Sequence, residues 1–322
     1  MKQLTVIIDG AALSDYSATG ISERFELARM RTHTPLGRAA ESPACILTML
    51  GVNENNIPRG RAYLEALALG LPIRENDMAV RINKVSIKNG RLTCAQGGEA
   101  FEEEDISLYE NCFAYPVYHV KEYKNLAILA SKADVCAQTL SFPPHENIGK
   151  EIKDIAPYSP DAQVQNFFDE LLRCGYMPWG QAVYEELPSY YSLHKTKAAF
   201  VCATEIVRGI ALAMDMYCPK ISSATAECDT DLSAKALSAI ELIQKYDDVY
   251  VHVNGADEAA HRFDKGEKLT FIARVYEQLV LPLVNNIKDE CVLTVTSDHA
   301  TLCERGDHSA EPVPEYEYII KK

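Results

Sequence analysis

The chain has 322 residues, a formal net charge of −14 at pH 7 and a sequence pI near 5.1. That length supports one large domain or two smaller ones with a substantial core. Such an acidic balance argues against nucleic acid or an anionic membrane as a partner, and an anionic substrate would need positive charge gathered locally, from metal ions and a few Arg or Lys.

Ten cysteines are scattered without a CxxC pair or a regular framework. They read as reduced thiols in a cytoplasmic protein. The first apolar run stops at Asp9, too soon for a secretory signal, and no run of about 18 apolar residues occurs.

In chain order, Leu4–Ile8 is a β-branched run of the buried-strand type ending in Asp9-Gly10. That dipeptide reads as a plain turn, yet a carboxylate closing a first strand is also where an α/β sheet would carry a metal ligand. Residues 14–31 read as a loop and a short amphipathic helix. Ser42-Pro43 opens an apolar helical run, with Ser42 expected at the N-cap and Pro43 at N1. Capping is sufficient reason for this serine. The same geometry would hold a phosphoryl group at its hydroxyl, and a divalent cation would make it a nucleophile.

From Asn53 to about Lys195 the texture is α+β. It predicts a helix over 60–70 with a Gly stop, a hairpin around Asn89-Gly90 and a strand in NLAILAS. A proline-rich loop FPPHENIGK, a helix from Asp161 to Cys174 and a turn in PWGQAVY follow. The charge run Glu99–Asp105 reads as a solvated loop or helix start.

At Lys197 a βα alternation resumes. KAAFVCA is a predicted strand, TEIVRGIALAMDM a helix, and Asp229 or Asp231 caps a helix over 233–246. The strand VYVHV, one helix over 268–287 and the strand VLTVTSD complete the series. The order implies an α/β fold, a largely parallel sheet flanked by helices, with residues 1–52 and 196–322 as core and 53–195 as an inserted domain.

The stretch from His252 to His308 is richest in chemistry. Asp257 and His261, four apart, would share one face of a helix. Asp298 and His299 directly follow a strand, and His308 falls in an expected loop stiffened by Pro312 and Pro314. Singly these are caps, turn residues or solvated helix positions. Repeated after neighbouring strands, they can converge at the carboxyl ends of a sheet. Oxygen and nitrogen donors without cysteine suit Mn, Zn or Mg.

YVHVNGADEAAH, TSDHATLCERGDHSAEPVP, IVRGIALAMDM and ATAECDTD resemble the archaeal-type cofactor-independent phosphoglycerate mutases of the alkaline phosphatase superfamily. GRAYLEA, DMAVRINKV, FPPHENIGK and WGQ, within 53–195, resemble them too. The resemblance implies an alkaline-phosphatase-like core, two divalent cations (Mn first, Mg or Zn as alternatives) and a serine nucleophile. It also implies interconversion of 3-phosphoglycerate and 2-phosphoglycerate through phosphoserine, with a small phosphorylated substrate held under the inserted domain acting as a lid.

Carried position by position, Asp9, Ser42, Asp298 and His299 share one metal, while Asp257, His261 and His308 hold the second. Lys197 would stabilise the transferring group. Arg61, Arg81 and His145 fall in segments resembling the substrate-binding parts, where ordinary solvated side chains are the alternative. The chain departs from the family in two places. The segment between Asp9-Gly10 and Ser42 is shorter and lacks a TPNxD element, and Gly-Ser-Asp has become Glu41-Ser42-Pro43. Two other readings stay open: a phosphomonoesterase or phosphotransferase on another small substrate, and a metal-binding protein that has lost catalysis.

Overall fold

A computed structural model describes residues 1–17, 19–98 and 113–321; the charge run Glu99–Asp105 lies outside them. The chain divides into two compact units, Met1–Ile57 with Glu186–Lys322, and Pro58–Glu185. Residues 53–57 and 186–195 therefore group with the first unit, not with the inserted segment expected to contain them. Contacts explain the shift. Arg38 Nη2 donates to Ile57 O at 2.7 Å, Tyr190 N to Met214 O at 2.7 Å, and His194 Nε2 meets Leu50 O at 2.8 Å.

Strands β1 (Lys2–Ile8) and β2 (Glu26–Arg31) precede the inserted segment. That segment contributes β3 (Met78–Lys84), β4 (Ser86–Lys88), β5 (Arg91–Cys94), β6 (Val117–Lys121), β7 (Lys124–Leu129) and β8 (Tyr176–Ala182). The first unit resumes with β9 (Ala198–Val201), β10 (Asp248–Val253), β11 (Cys291–Thr296), β12 (Ala300–Leu302), β13 (Asp307–Ser309) and β14 (Val313–Ile320).

The main sheet has the order β2-β14-β11-β1-β10-β9. Strands β11, β1, β10 and β9 run parallel, and β14 and β2 join antiparallel. On one face Leu4, Val6, Val251 and Leu293 pack with the helices Leu232–Leu242 and Lys265–Val275. Ile7 pairs with His252 and Thr296, so these point to the other face. A slip of one residue would exchange the two faces and expose apolar side chains worth roughly 1.5–3 kcal/mol each. Register is thereby fixed, and with it the placement of everything at the carboxyl ends.

In the second unit an antiparallel sheet of order β6-β7-β3-β8 packs against the helix Ala162–Arg173. Asp161 caps that helix through Gln163 N and Val164 N. The β4–β5 hairpin turns at Asn89 and Gly90, both at positive φ, the geometry that an Asn-Gly turn favours.

Three expectations are corrected. Residues 26–31 form β2, whose side chains are all exposed, so pairing to β14 and not an apolar face defines it. PWGQAVY enters β8 instead of turning: Gly180 takes φ +60° and the β3 pairing shifts register there, which lets the strand continue. The helix predicted over 268–287 breaks into Lys265–Val275, a π-turn Tyr276–Val280 and Leu281–Asn286. Pro282 lacks the N–H that regular helix would use. Among the described residues no helix is long and apolar enough to cross a membrane.

Beneath the carboxyl end of β1 lies Lys268, 1% exposed, whose Nζ meets Asp15 Oδ2 at 2.7 Å, Gly10 O at 2.9 Å and Thr301 O at 2.8 Å. Replacing it strands a buried carboxylate and two carbonyls. Lys268→Met should cost about 3–5 kcal/mol in denaturant unfolding of the metal-free protein, and Lys268→Met with Asp15→Leu should recover part of that loss.

Candidate metal centre

Three strand ends build the cluster. Asp9 follows β1, with its N–H on Val253 O at 3.0 Å, Asp257 and His261 stand on the helix Gly255–His261 after β10, and Asp298-His299 follow β11. His308 is in β13, cross-strand from Thr301, and not in the loop expected for it; the β12–β13 pairing carries it over the cluster. Ser42 is the first residue of the helix Ser42–Met49 and Glu41 its N-cap, with no side-chain cap bond. The serine is thus relieved of the capping duty expected of it. Its hydroxyl lies 3.4 Å from each Asp9 oxygen and 3.1 Å from His299 Nε2. The Glu41 side chain is exposed.

Two ligand groups result. In the first, ligand atoms of Asp9, Asp298 and His299 lie within 4.8 Å of one another, and Ser42 joins them through the contacts above. His299 Nε2 is 3.5 Å from Asp9 Oδ1 and 3.5 Å from Asp298 Oδ2. In the second, ligand atoms of Asp257, His308 and again His299 lie within 4.8 Å of one another; His261 Nε2 joins them 3.2 Å from Asp257 Oδ2 and 3.0 Å from His308 Nε2, and Asp257 Oδ1 is 3.6 Å from His308 Nε2. All seven predicted ligands therefore converge within the first unit.

Asp298 tests the fit of this set to a cation. Both of its oxygens are buried and neither has a hydrogen-bond partner among the described residues. An unpaired buried carboxylate costs several kcal/mol unless something positive faces it. Asp9 is held well above the usual carboxylate range by burial and by the charges of Asp298 and Asp257. Three acid groups packed this closely, with imidazoles between them, suit divalent cations with oxygen and nitrogen ligands.

The remaining imidazoles are tuned in opposite directions. His308 is pushed down to about 4 by burial and by His299, while His261 is raised to about 9 by its hydrogen bond to Asp257. Asp257 stays low: burial pushes it up, but the His261 hydrogen bond and the neighbouring imidazoles outweigh that.

Several residues at the site carried no signal in the sequence. His252 Nε2 donates to Asp9 Oδ2 at 3.1 Å, and burial pushes this imidazole down to about 4, so it stays neutral. Thr301 Oγ1 lies 2.5 Å from Asp257 Oδ1. Lys235, 1% exposed, donates to His252 O at 2.9 Å. Such contacts follow from strand register and have no local motif.

Lys197 does not belong to the cluster. It is exposed and precedes β9, at the amino end of a sheet whose carboxyl ends carry the site. Asp248 pairs with Ala198, and five residues of strand at about 3.3 Å each separate Asp248 from Val253. The segment likeness brought this lysine close in sequence to a site that the strand direction keeps away.

Arg61, Arg81 and His145 meet in the second unit. Arg61 Nε and Arg81 Nε donate to the two oxygens of buried Glu65 at 2.8 and 3.1 Å. The Arg81 guanidinium lies 4.2 Å over the Trp179 ring, and His145 packs edge-on to the same ring. Glu65 remains ionised despite burial because Arg81 and Arg61 outweigh the desolvation.

A mostly parallel sheet thus carries the cluster at its carboxyl edge. A family model described as 2,3-bisphosphoglycerate-independent phosphoglycerate mutase matches residues 28–175. A protein of that name from Methanothrix thermoacetophila is 26% identical over 98% of this chain and 90% of its own length. Another from Pyrococcus furiosus is 28% identical over 86% of this chain and 75% of its own. A solved protein of Pyrococcus horikoshii shares the fold with TM-score 0.71 at 21% identity, covering 99% of this chain and 87% of that one. The cofactor-independent phosphoglycerate mutase from Thermoplasma acidophilum does so with TM-score 0.55 at 17% identity, covering 99% and 90%. Over residues 28–175 by the family model, and over most of its length by these relatives, the chain is similar to the 2,3-bisphosphoglycerate-independent phosphoglycerate mutases.

Since His261 is protonated at neutral pH without metal, a cation entering the second group must displace that proton. Mn²⁺ affinity there should rise about tenfold per pH unit from pH 7 to about 9 and level off above. Calorimetry in buffers of different ionisation enthalpy should count about one proton released at pH 7, and none in His261→Asn.

Proposed function

We propose that the chain interconverts 3-phosphoglycerate and 2-phosphoglycerate through a phosphoserine on Ser42, with two divalent cations, Mn²⁺ first, in the two ligand groups. The carrying observation is Asp298, a buried carboxylate without a hydrogen-bond donor at the meeting point of Asp9, His299 and Ser42. The names of the relatives supply the substrate.

Ser42 Oγ attacks the phosphorus, the bond to the glycerate oxygen breaks, and the serine's proton ends on the released hydroxyl. The other hydroxyl of the retained glycerate then takes the phosphoryl group back, regenerating Ser42. Asp9 and His299 flank the serine oxygen and hold it in line. Bound cations would supply Lewis-acid stabilisation of the transferring group and a lower pKa for the serine hydroxyl. In the second unit Arg61, Arg81 and His145 would bind the anionic substrate, Glu65 and Trp179 keeping the two guanidinium groups oriented. That unit would act as the lid that keeps water from competing with glycerate. A cytoplasmic, glycolytic setting follows from this reading.

Purified protein with Mn²⁺ and 3-phosphoglycerate should yield 2-phosphoglycerate without matching free phosphate. Ser42→Ala should lower kcat at least about a thousandfold. Release of phosphate in place of the isomer would identify a phosphomonoesterase on the same site, and full turnover by Ser42→Ala would remove the serine from its role. Arg81→Lys, which keeps charge but loses the planar fork, should raise KM about tenfold with little change in kcat, read from initial rates.

A further inference from the structure

Thr301 belongs to neither ligand group, yet it touches Asp257 of the second and His299, whose ligand atom lies with both. Its hydroxyl lies 2.5 Å from Asp257 Oδ1 and 3.3 Å from His299 Nδ1, and the residue is fully buried. A hydroxyl has one proton to give and lone pairs to receive. The 2.5 Å contact is that of a hydroxyl donating to a carboxylate, so the proton is committed to Asp257. The contact to His299 is then a hydrogen bond only if His299 Nδ1 carries the proton.

We propose that Thr301 is a positioning residue coupling the two cation groups: it orients Asp257 as donor and, as acceptor, locks His299 in the Nδ1–H tautomer. His299 Nε2 is left as a bare lone pair aimed at Ser42 Oγ, Asp9 and Asp298, the form in which an imidazole binds a cation. The inference rests on the metal reading given under the proposed function.

Thr301 is itself held from both sides. Its N–H donates to Gly10 O at 2.8 Å and its carbonyl accepts from Lys268 Nζ at 2.8 Å. Gly10, at φ +72°, leaves the room: a Cβ there would stand 2.8 Å from Thr301 Oγ1 and 2.9 Å from Asp257 Cα. The hydroxyl therefore has one position, between the two groups.

The test compares Thr301→Val, which keeps the shape and removes the hydroxyl, with Thr301→Ser, which keeps the hydroxyl. Calorimetric titration of the wild-type protein with Mn²⁺ should show two sites. Thr301→Val should weaken both by about 10–100-fold, and Thr301→Ser should bind within about threefold of wild type. Imidazole ¹⁵N spectra of metal-free, histidine-labelled wild type should show a Nδ1–H resonance pattern that disappears in His299→Asn. Wild-type His299 in the Nε2–H form overturns the inference even if Thr301→Val fails to fold. Two unchanged affinities in a folded Thr301→Val, or loss at one site alone, overturns the coupling while leaving the metal reading intact. A wild-type protein that takes up no Mn²⁺ overturns both.

Discussion

Repulsion among buried carboxylates is the constraint to which the rest of the first unit answers. Asp9 and Asp298 are each 1% exposed and Asp257 7%, and all three point into one small volume. In a low-dielectric interior their charges cannot coexist unless something positive or hydrogen-bonding lies between them. The protein side of that compensation is incomplete: His252 serves one oxygen of Asp9, Thr301 one of Asp257, and Asp298 is served by no donor among the described residues. The deficit is sited beside the Ser42 hydroxyl, where a cation would both relieve it and act on chemistry.

What keeps the acids together is the framework below them. Four parallel strands deliver their carboxyl ends to one edge, and the ammonium of Lys268 binds the turn after β1 to β12 and to Asp15. A buried lysine is costly in isolation, but here three oxygens satisfy its three protons. Gly10 contributes by what it lacks, since any side chain would strike Thr301 and the backbone of Asp257. The geometry of the cluster is thus set by backbone and structural charge before any ligand arrives.

Much of this was legible from the residues, because Asp and His placed directly after β-branched runs survive translation into three dimensions without knowledge of register. The seven expected ligands are local features of their own strand ends. The residues that orient them are not. His252 pairs with Asp9, and Thr301 with Asp257 and His299, through neighbourhoods that exist only once β1 lies between β10 and β11. Lys197 failed for the complementary reason: closeness in sequence to a strand says nothing about which end of it a side chain occupies. The fold was misread where composition and context disagreed. Pro178 and Gly180 look like a turn but sit in β8, while β2 has no apolar face to betray it. Ser42 carries a helix-start signature whose capping function Glu41's backbone position has taken over.

The placement of β1 has a consequence for how the molecule comes into being. β1 is an interior strand, and both of its hydrogen-bonding neighbours come far later in the sequence: Ile8 waits for Val253, and Ile7 for Thr296. Assembly of this sheet is therefore dominated by pairings of high contact order, slow by nature, while an apolar segment stands unprotected during synthesis. The intervening segment, with local hairpins and its own core, can complete itself first. Folding of this part would then run from the intervening segment outward, with chaperone demand concentrated on β1 until β10 and β11 emerge.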